Sequence, residues 1–237
     1  MAVSTFFRSG RSNLVSSFGP TIFAAAAVVA FSATSATAQQ VIVPGTANPW
    51  LAGMPDGSIA GDGFDTAPAQ SPAQVPVVLA DGMMLMFSVT GSVSNSDSAS
   101  GLSPDGAGFI SREPGTENGI ANVIAPISSL IGVFLDFSQP SFSIAPIGLD
   151  FETFGLTFAT LSPSLSQPFF IGDGLDGGGE FQQFEVPSGA TRLYLGTMDG
   201  FQWTGNFGSF TVTVIPAPGV AALLGLGGLM ASRRRRN

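Results

Sequence analysis

Apolar and polar residues alternate with a period of two along much of the chain between residues 39 and 214. Side chains of a β-strand point alternately to its two faces, so this spacing is typical of half-buried antiparallel strands. The clearest examples are residues 85–93, with Leu85, Phe87, Val89 and Val93 on one face, residues 153–159, with Phe154, Leu156 and Phe158, and residues 209–214, with Phe210, Val212 and Val214. Residues 130–137 are apolar almost throughout, which predicts a central strand buried on both faces.

Short strands separated by breaks of Gly, Pro and Ser predict an all-β fold, an antiparallel β-sandwich or jelly roll. Helical periodicity is weak throughout this part of the chain. The sequence contains 21 Phe and no Cys. Burial of large apolar side chains must therefore stabilise the fold, since no disulfide restrains the unfolded chain.

Residues 1–38 have the features of a secretory signal peptide. Two basic residues, Arg8 and Arg11, precede an Ala-rich apolar run. The run ends in small residues, Ala36 and Ala38, at the positions that signal peptidase reads. An N-terminal core helix is the alternative, and it is disfavoured because the run has no polar stripe. We therefore expect export of the remaining chain.

The last segment, residues 215–237, combines a Pro-x-Pro motif, an apolar run and an arginine cluster. Residues 219–231 would form a helix of about 20 Å, against a hydrocarbon core of about 30 Å, so they make a short membrane span. The run has no polar face, which argues against a packed helix. Four arginines set its topology, with the tail cytoplasmic and the body, residues 39–214, outside: Arg233, Arg234, Arg235 and Arg236.

The body is strongly acidic. Once both ends are set aside, Arg112 and Arg192 stand against sixteen carboxylates, a net charge of −14. Such a surface disfavours nucleic-acid binding and attracts cations, of which calcium is the expected one outside a cell. The chain has no His and no Cys. A Ser-His-Asp triad, a Cys-His nucleophile and zinc bound by His or Cys are therefore excluded.

Three acidic, Gly-rich loops are candidate cation sites: residues 55–65, 103–109 and 172–180. Clustered carboxylates are what calcium binds, yet Asp-Gly pairs are also common turn formers. None of the loops follows the spacing of an EF-hand, although Asp173, Asp176 and Glu180 approach its composition. Both interpretations stay open, with plain turns favoured.

A further candidate site lies between predicted strands at residues 192–196 and 209–214. The intervening residues 198–206 are predicted to form an exposed loop carrying a carboxylate, an indole, a hydroxyl and an amide: Asp199, Trp203, Thr204 and Asn206. In sugar sites, carboxylate, amide and hydroxyl oxygens bind a cation or the sugar hydroxyls. An aromatic ring packs against the C–H groups of the sugar. The alternative, which periodicity alone favours, is a β-hairpin whose Trp closes the end of the core.

The C-terminal segment resembles the sorting signal of exported bacterial proteins of the PEP-CTERM class. Pro216, Ala217 and Pro218 match its Pro-x-Pro motif, with Ala217 where the motif usually has Glu. The body resembles extracellular domains of that class in several segments: residues 44–58, 67–79, 125–135, 168–174 and 186–200. The resemblance implies that an exosortase-type membrane protease cleaves near this motif and releases the body to the cell envelope or an extracellular matrix. A permanent membrane anchor is the alternative.

More distantly, the body resembles bacterial galactophilic lectins, small β-sandwiches that bind galactose through a bridging calcium ion, mainly in residues 186–214 and more weakly in residues 77–110. The resemblance matches Asp199 with their calcium-ligating Asp and Asn206 with the first of two ligating Asn, whereas Phe207 replaces the second. It implies a galactose-binding-lectin-like fold for the body. Trp203 and Thr204 join Asp199 and Asn206 as candidate residues of a carbohydrate and calcium site.

An enzymatic role is disfavoured. Paired carboxylates are the remaining option for acid–base chemistry, and Asp150 and Glu152 are a candidate pair, expected on one face of a strand. A solvated strand edge explains that pair as well. We therefore predict an exported structural or adhesive protein that is not an enzyme. A calcium-dependent lectin is the alternative, and a carbohydrate-active enzyme is the less favoured one.

Overall fold

Fourteen β-strands make up nearly all the regular structure in residues 1, 37–61, 63–96 and 100–217, which are the residues that this computed structural model describes. In chain order they are β1 (Gln39–Pro44), β2 (Ile59–Ala60), β3 (Asp65–Thr66), β4 (Ala73–Gln74), β5 (Met84–Ser94), β6 (Ala107–Ser111), β7 (Val123–Ile127), β8 (Leu130–Leu135), β9 (Leu149–Asp150), β10 (Thr160–Leu161), β11 (Phe169–Phe170), β12 (Gln183–Glu185), β13 (Arg192–Thr197) and β14 (Phe207–Pro216). Helical structure among these residues consists of two 3₁₀ turns, Pro49–Leu51 and Pro140–Phe142, and one α-helical turn, α1 (Phe151–Phe154). The all-β prediction is confirmed.

The largest sheet forms where the alternation is longest. Its strand order is β1-β14-β5-β12-β10, and β14 pairs antiparallel with β5 from Phe207 opposite Ser94 to Pro216 opposite Leu85. The predicted inward faces of both long strands are confirmed, because all of these side chains are buried: Leu85, Phe87, Val89, Val93, Phe210, Val212 and Val214.

A second sheet has the strand order β11-β8-β13-β4. β8 lies between β11 and β13, and every one of its residues is buried, as its continuous apolar sequence predicts. Two smaller sheets, β2-β3 and β6-β7-β9, and three isolated bridges make up the other pairing among the described residues.

The two larger sheets share one hydrophobic core. The ring of Phe184 in β12 lies 5.4 Å from that of Phe169 in β11 and 5.1 Å from that of Phe87 in β5, measured between centroids. Inclined aromatic contacts at these distances favour packing beyond the buried area alone. The body is thus a β-sandwich filled with Phe, and its jelly-roll connectivity stays a prediction.

The strand predicted at residues 153–159 is wrong. Residues 151–154 form α1 instead, because the Asp150 carboxylate caps the turn by accepting hydrogen bonds from the backbone N–H groups of Glu152 and Thr153. Gly155 ends the turn with a φ of 89°, a left-handed conformation that suits glycine. Phe154, expected to point inward, is exposed, so local capping outweighs the alternation here.

Strand directions place the strand ends at two poles of the sandwich. At the terminal pole, β1 begins at Gln39 and the neighbouring antiparallel β14 ends. β12 also ends there, and a short link leads to the start of β13, where Arg192 pairs with Leu135 at the end of β8. At the opposite loop pole, β13 ends at Thr197 and β14 begins at Phe207.

The last strand runs beyond the predicted end of the body. Pro216 pairs with Leu85, and the N–H of Ala217 donates to the carbonyl oxygen of Met84 at 2.8 Å. β14 thus continues two residues past the boundary predicted after Val214, and Ala217 keeps one further hydrogen bond to β5. The first two residues of the Pro-x-Pro motif belong to the folded body.

Most of the predicted end segments lie outside the described residues. Residues 2–36, with Ala36, and residues 218–237, with Pro218 and the four arginines, belong to this group. Ala38 is described, exposed and directly followed by β1. No helix in the part of the chain that the structure describes is long and apolar enough to cross a membrane.

Candidate functional site

Residues 198–206 connect β13 in the four-stranded sheet to β14 in the five-stranded sheet. Because the two strands belong to different sheets, the segment is a crossing loop at the loop pole and not a hairpin. The Thr197 hydroxyl donates to the carbonyl oxygen of Gly45 at 2.7 Å, and the Asn206 amide donates to the same oxygen at 3.2 Å. Both ends of the crossing loop are thereby fixed to the end of β1.

The prediction that the crossing loop is exposed is wrong for most of its candidate residues. Trp203 has no exposed surface, and Asp199 and Asn206 are only 9% and 4% exposed, whereas Thr204 is exposed. The Trp203 indole N–H donates to the carbonyl oxygen of Thr197 at 2.8 Å. Trp203 therefore offers no face to a sugar, and it closes one end of the core, as the alternative interpretation has it.

Asp65, a buried residue of β3, holds the crossing loop in place. Its carboxylate accepts hydrogen bonds from the backbone N–H groups of Trp203, at 3.0 Å, and Thr204, at 2.9 Å. It also accepts from the Thr204 hydroxyl at 2.7 Å and from the Asn48 side-chain amide at 3.0 Å. One carboxylate thus satisfies several buried or half-buried donors, as a buried charge requires. Residues 55–65 were a candidate cation loop, and this contact assigns Asp65 a structural role instead.

Glycine allows the two loops to approach. Gly61 has a φ of 59°, and a Cβ at this position would lie 2.5 Å from the carbonyl oxygen of Phe201. Only a residue without a side chain fits this spacing in a left-handed conformation. The loop before β3 and the crossing loop are therefore packed backbone against backbone.

A buried arginine lies beneath the crossing loop. The guanidinium carbon of Arg112 is 4.2 Å from the ring centroid of Trp50 and 5.3 Å from that of Trp203, and the two indoles are 5.5 Å apart. Glu117 forms an ion pair with Arg112. A guanidinium stacked on aromatic rings gains cation–π attraction, which helps to offset its burial. Sequence reasoning missed this cluster, since its members are far apart along the chain.

Asp199 and Asn206 do lie together. Burial raises the pKa of the Asp199 carboxyl, and the nearby charge of Asp65 acts in the same direction, while hydrogen bonds from the Asn206 side chain and the backbone N–H of Phe201 oppose the shift. The side-chain oxygen of Asn206 is buried and has no hydrogen-bond partner. A carboxyl with a raised pKa and an unsatisfied amide oxygen thus lie together at the loop pole.

Replacing Asp199 by Asn should stabilise the chain at neutral pH. Because the folded-state pKa of this carboxyl is raised, the folded chain binds more protons than the unfolded one between the two pKa values, and stability falls as pH rises through that interval. Asn removes the buried charge. We therefore expect the free energy of unfolding of Asp199→Asn to be higher than that of the wild type at pH 7, and this difference to disappear in acid. Urea unfolding in a metal-free buffer across pH measures both quantities.

Asp81→Asn is a control of opposite sign for this experiment. The Ser188 hydroxyl and the Gly189 N–H donate to the Asp81 carboxylate and lower its pKa. The stability that the Asp81 carboxylate contributes is present above the pKa that Asp81 has in the unfolded chain. It is lost as pH falls through the lower pKa that Asp81 has in the folded chain. Asp81→Asn should therefore not be more stable than the wild type at neutral pH. An Asp199→Asn variant that is less stable than the wild type at pH 7 would contradict the prediction.

A cation at the crossing loop would draw on the Asp199 carboxylate and the Asn206 side-chain oxygen. Calcium takes six to eight oxygens, so backbone carbonyls, water or hydroxyls of a bound ligand would supply the others. Within the described ranges, no cluster of three or more acidic side chains that could hold a metal ion occurs. Asp199 and Asn206 supply only two of these oxygens, so calcium binding at the crossing loop stays a prediction.

The other two acidic loops also meet each other. The Asp105 carboxylate accepts a hydrogen bond from the backbone N–H of Asp173 at 2.9 Å, and burial raises the pKa of Asp105. Asp173 and Asp176 each accept from backbone N–H groups two residues ahead, at 2.8 Å and 2.7 Å. Glu180 is exposed, and its own N–H donates to Asp176. These contacts are those of turns, the interpretation favoured for all three loops.

Asp150 and Glu152 do not share a strand face. Asp150 ends β9 and caps α1, whereas Glu152 lies in that helical turn. Hydrogen bonds from the Thr153 hydroxyl and backbone lower the pKa of Asp150, which favours its ionised form. A carboxyl held ionised in this way is poorly suited to act as a general acid at neutral pH. The expectation that the chain is not an enzyme stays a prediction.

The chain matches no protein-family model and no curated protein. Among solved structures, it is similar to a chain described as the EclA N-terminal domain, a PllA-like lectin, with a TM-score of 0.36 and 15% sequence identity. The alignment covers 76% of this chain and 96% of the other.

Proposed function

We propose that this chain is an exported cell-envelope protein with a structural or adhesive role, delivered through the predicted signal peptide and attached or sorted through residues 215–237. One observation carries the proposal: the body begins and ends at the same pole. β1 starts at Gln39, directly after the exposed Ala38, and β14 ends beside it at Pro216. Processing or anchoring at either end then leaves the loop pole pointing away from the membrane.

The processing prediction is tested by the intact mass of the protein recovered from its native envelope. Signal removal should give a chain that starts at Gln39, since β1 requires this residue and Ala38 is accessible. A C-terminus near Ala217 indicates cleavage at the sorting motif, by an exosortase-type protease. A mass that retains Arg236 indicates a standing anchor, and a chain that still starts at Met1 contradicts export by this route.

Calcium-dependent carbohydrate binding at the loop pole is a second candidate function. The observation that favours it is the unpartnered, buried side-chain oxygen of Asn206 next to the buried Asp199 carboxylate. A divalent cation would satisfy both groups, and hydroxyls of a sugar would supply further oxygen ligands. Trp203 plays no part in this proposal, because its indole is buried.

We expect calorimetric titration with galactosides to give binding heat in the presence of calcium and none in the presence of a chelator. Asp199→Asn should abolish the heat, because it removes the carboxylate ligand. Asp56→Asn, at an exposed position of an acidic loop, serves as the matched control and should bind like the wild type. Titrations without heat under both conditions would exclude this candidate function for galactosides.

A further inference from the structure

We propose that residues 137–147, here called the apolar loop, insert side chains into the surface of a zwitterionic membrane when the body is tethered by its C-terminal segment. This inference rests on the proposed membrane attachment and adds a second membrane contact to it. It concerns the terminal pole, opposite the candidate calcium site.

The apolar loop presents large hydrophobic side chains to water. Phe137, Phe142, Ile144 and Ile147 are 85%, 79%, 99% and 88% exposed. Residues 137–148 contain no charged residue. Single exposed apolar side chains are normal on a soluble protein, but several together on one loop mark an interaction surface.

The apolar loop is held at both ends. The Arg192 guanidinium donates to the carbonyl oxygens of Asp136, at 2.7 Å, and Ser138. At the other end, the Gln167 side-chain amide donates to the carbonyl oxygen of Ile147 at 2.7 Å. A 3₁₀ turn at Pro140–Phe142 stiffens the middle. The exposed side chains are therefore displayed by a supported backbone, which lowers the conformational entropy lost on insertion.

Both supports of the apolar loop lie at the terminal pole. Arg192 is the first residue of β13, paired with Leu135 at the end of β8. Gln167 follows Ser166, whose N–H donates to the carbonyl oxygen of Phe134, also near the end of β8. The chain leaves β14 at this same pole and continues into the apolar residues 219–231. A bilayer that receives this segment would lie close to the apolar loop.

The charges at the terminal pole decide the kind of lipid. Asp81, Asp136 and Glu185 lie there, whereas the one basic residue among its described neighbours, Arg192, is engaged with backbone carbonyls. Anionic headgroups would be repelled, since the described residues of this pole hold no basic cluster to attract them. Phe and Ile side chains can enter the boundary between headgroups and acyl chains of a zwitterionic bilayer without such attraction.

The test uses single-cysteine variants, which the absence of native Cys makes clean. The chain from Gln39 to Asn237 is reconstituted with phosphatidylcholine vesicles, and an environment-sensitive dye is attached at Phe142→Cys or, as a second variant, at Ile144→Cys. Gln202→Cys, in the crossing loop at the loop pole, is the matched control. Flotation of the vesicles reports attachment, and quenching by brominated acyl chains reports insertion.

We expect the chain to float with the vesicles, and the dye at position 142 or 144 to be quenched several-fold more than the dye at position 202. Vesicles rich in phosphatidylglycerol should reduce this difference. Flotation with equal, weak quenching at all positions overturns the membrane contact and leaves the anchor intact. Failure to float overturns the anchor and the contact together. Shielding of position 142 without vesicles, with a doubled mass in solution, assigns the apolar loop to a second copy of the chain and also overturns the proposal.

Discussion

Replacing Asp65 by Ala should reduce the free energy of unfolding by about 3–5 kcal/mol, an effect at the upper end of the range for single substitutions. The variant leaves the backbone N–H groups of Trp203 and Thr204 and the Asn48 side-chain amide, all buried or half-buried, without this acceptor. Asp65→Asn should cost less, about 2 kcal/mol, because one oxygen remains and only part of the donors lose their partner. Urea unfolding followed by fluorescence measures the change.

The fluorescence signal also tests where the damage lies. Trp203 is attached to Asp65 through its backbone and contacts Trp50, so the loss of Asp65 should shift emission to longer wavelength before global unfolding. Asp56→Asn, in the exposed part of the same acidic loop, is the control and should change stability by less than about 0.5 kcal/mol. An Asp65→Ala variant as stable as this control would show that the carboxylate does not hold the crossing loop.

Arg112→Met should reduce the free energy of unfolding by about 3 kcal/mol or more. The substitution keeps an unbranched apolar stem between the indoles but removes the charge that pairs with Glu117 and stacks on Trp50. Removing one partner of a fully buried ion pair costs about 3–5 kcal/mol, and the low end applies here because the Glu117 side chain is 25% exposed. Arg112→Lys should restore only part of the loss, because an ammonium group cannot stack as a planar guanidinium does.

A double-mutant cycle with Glu117→Gln separates the ion pair from the stacking. If the pair contributes, the double variant should lose less stability than the sum of the two single changes. Glu113→Gln, at an exposed nearby position, is the matched control for the Glu variant. Additive losses in the double variant would assign the stability to the contact with the indoles and not to the pair.

Local pattern was enough to predict the strands that form the core. The sequence of each core strand shows which residues are buried, either as alternation or as a continuous apolar run. This allowed the prediction of β5, β8, β13 and β14. Residues 153–159 carried a similar alternation, yet the side chain of Asp150 caps a helical turn there. A capping hydrogen bond acts on the backbone directly, so a short alternation without a partner strand does not outweigh it.

The crossing loop could be predicted in composition but not in burial. Asp199, Trp203, Thr204 and Asn206 are close in sequence, whereas the residue that draws the loop inward, Asp65, is 138 positions away from Trp203. Asp65 stands in an Asp-Gly-rich stretch that looks like a turn, and nothing local distinguishes it from its exposed neighbours. Contacts at such separation depend on the packing of the whole sandwich, which one sequence does not display.

The position of β14 also sets an order of events during synthesis. This strand lies between β1 and β5 in the largest sheet, so the first strand of the body finds its neighbour only after residues 207–216 have been made. Pairing of residues so far apart in sequence is slow to form. Until residues 207–216 are made, β1 and β5 lack the strand that joins them, so the largest sheet closes only when this last strand is added.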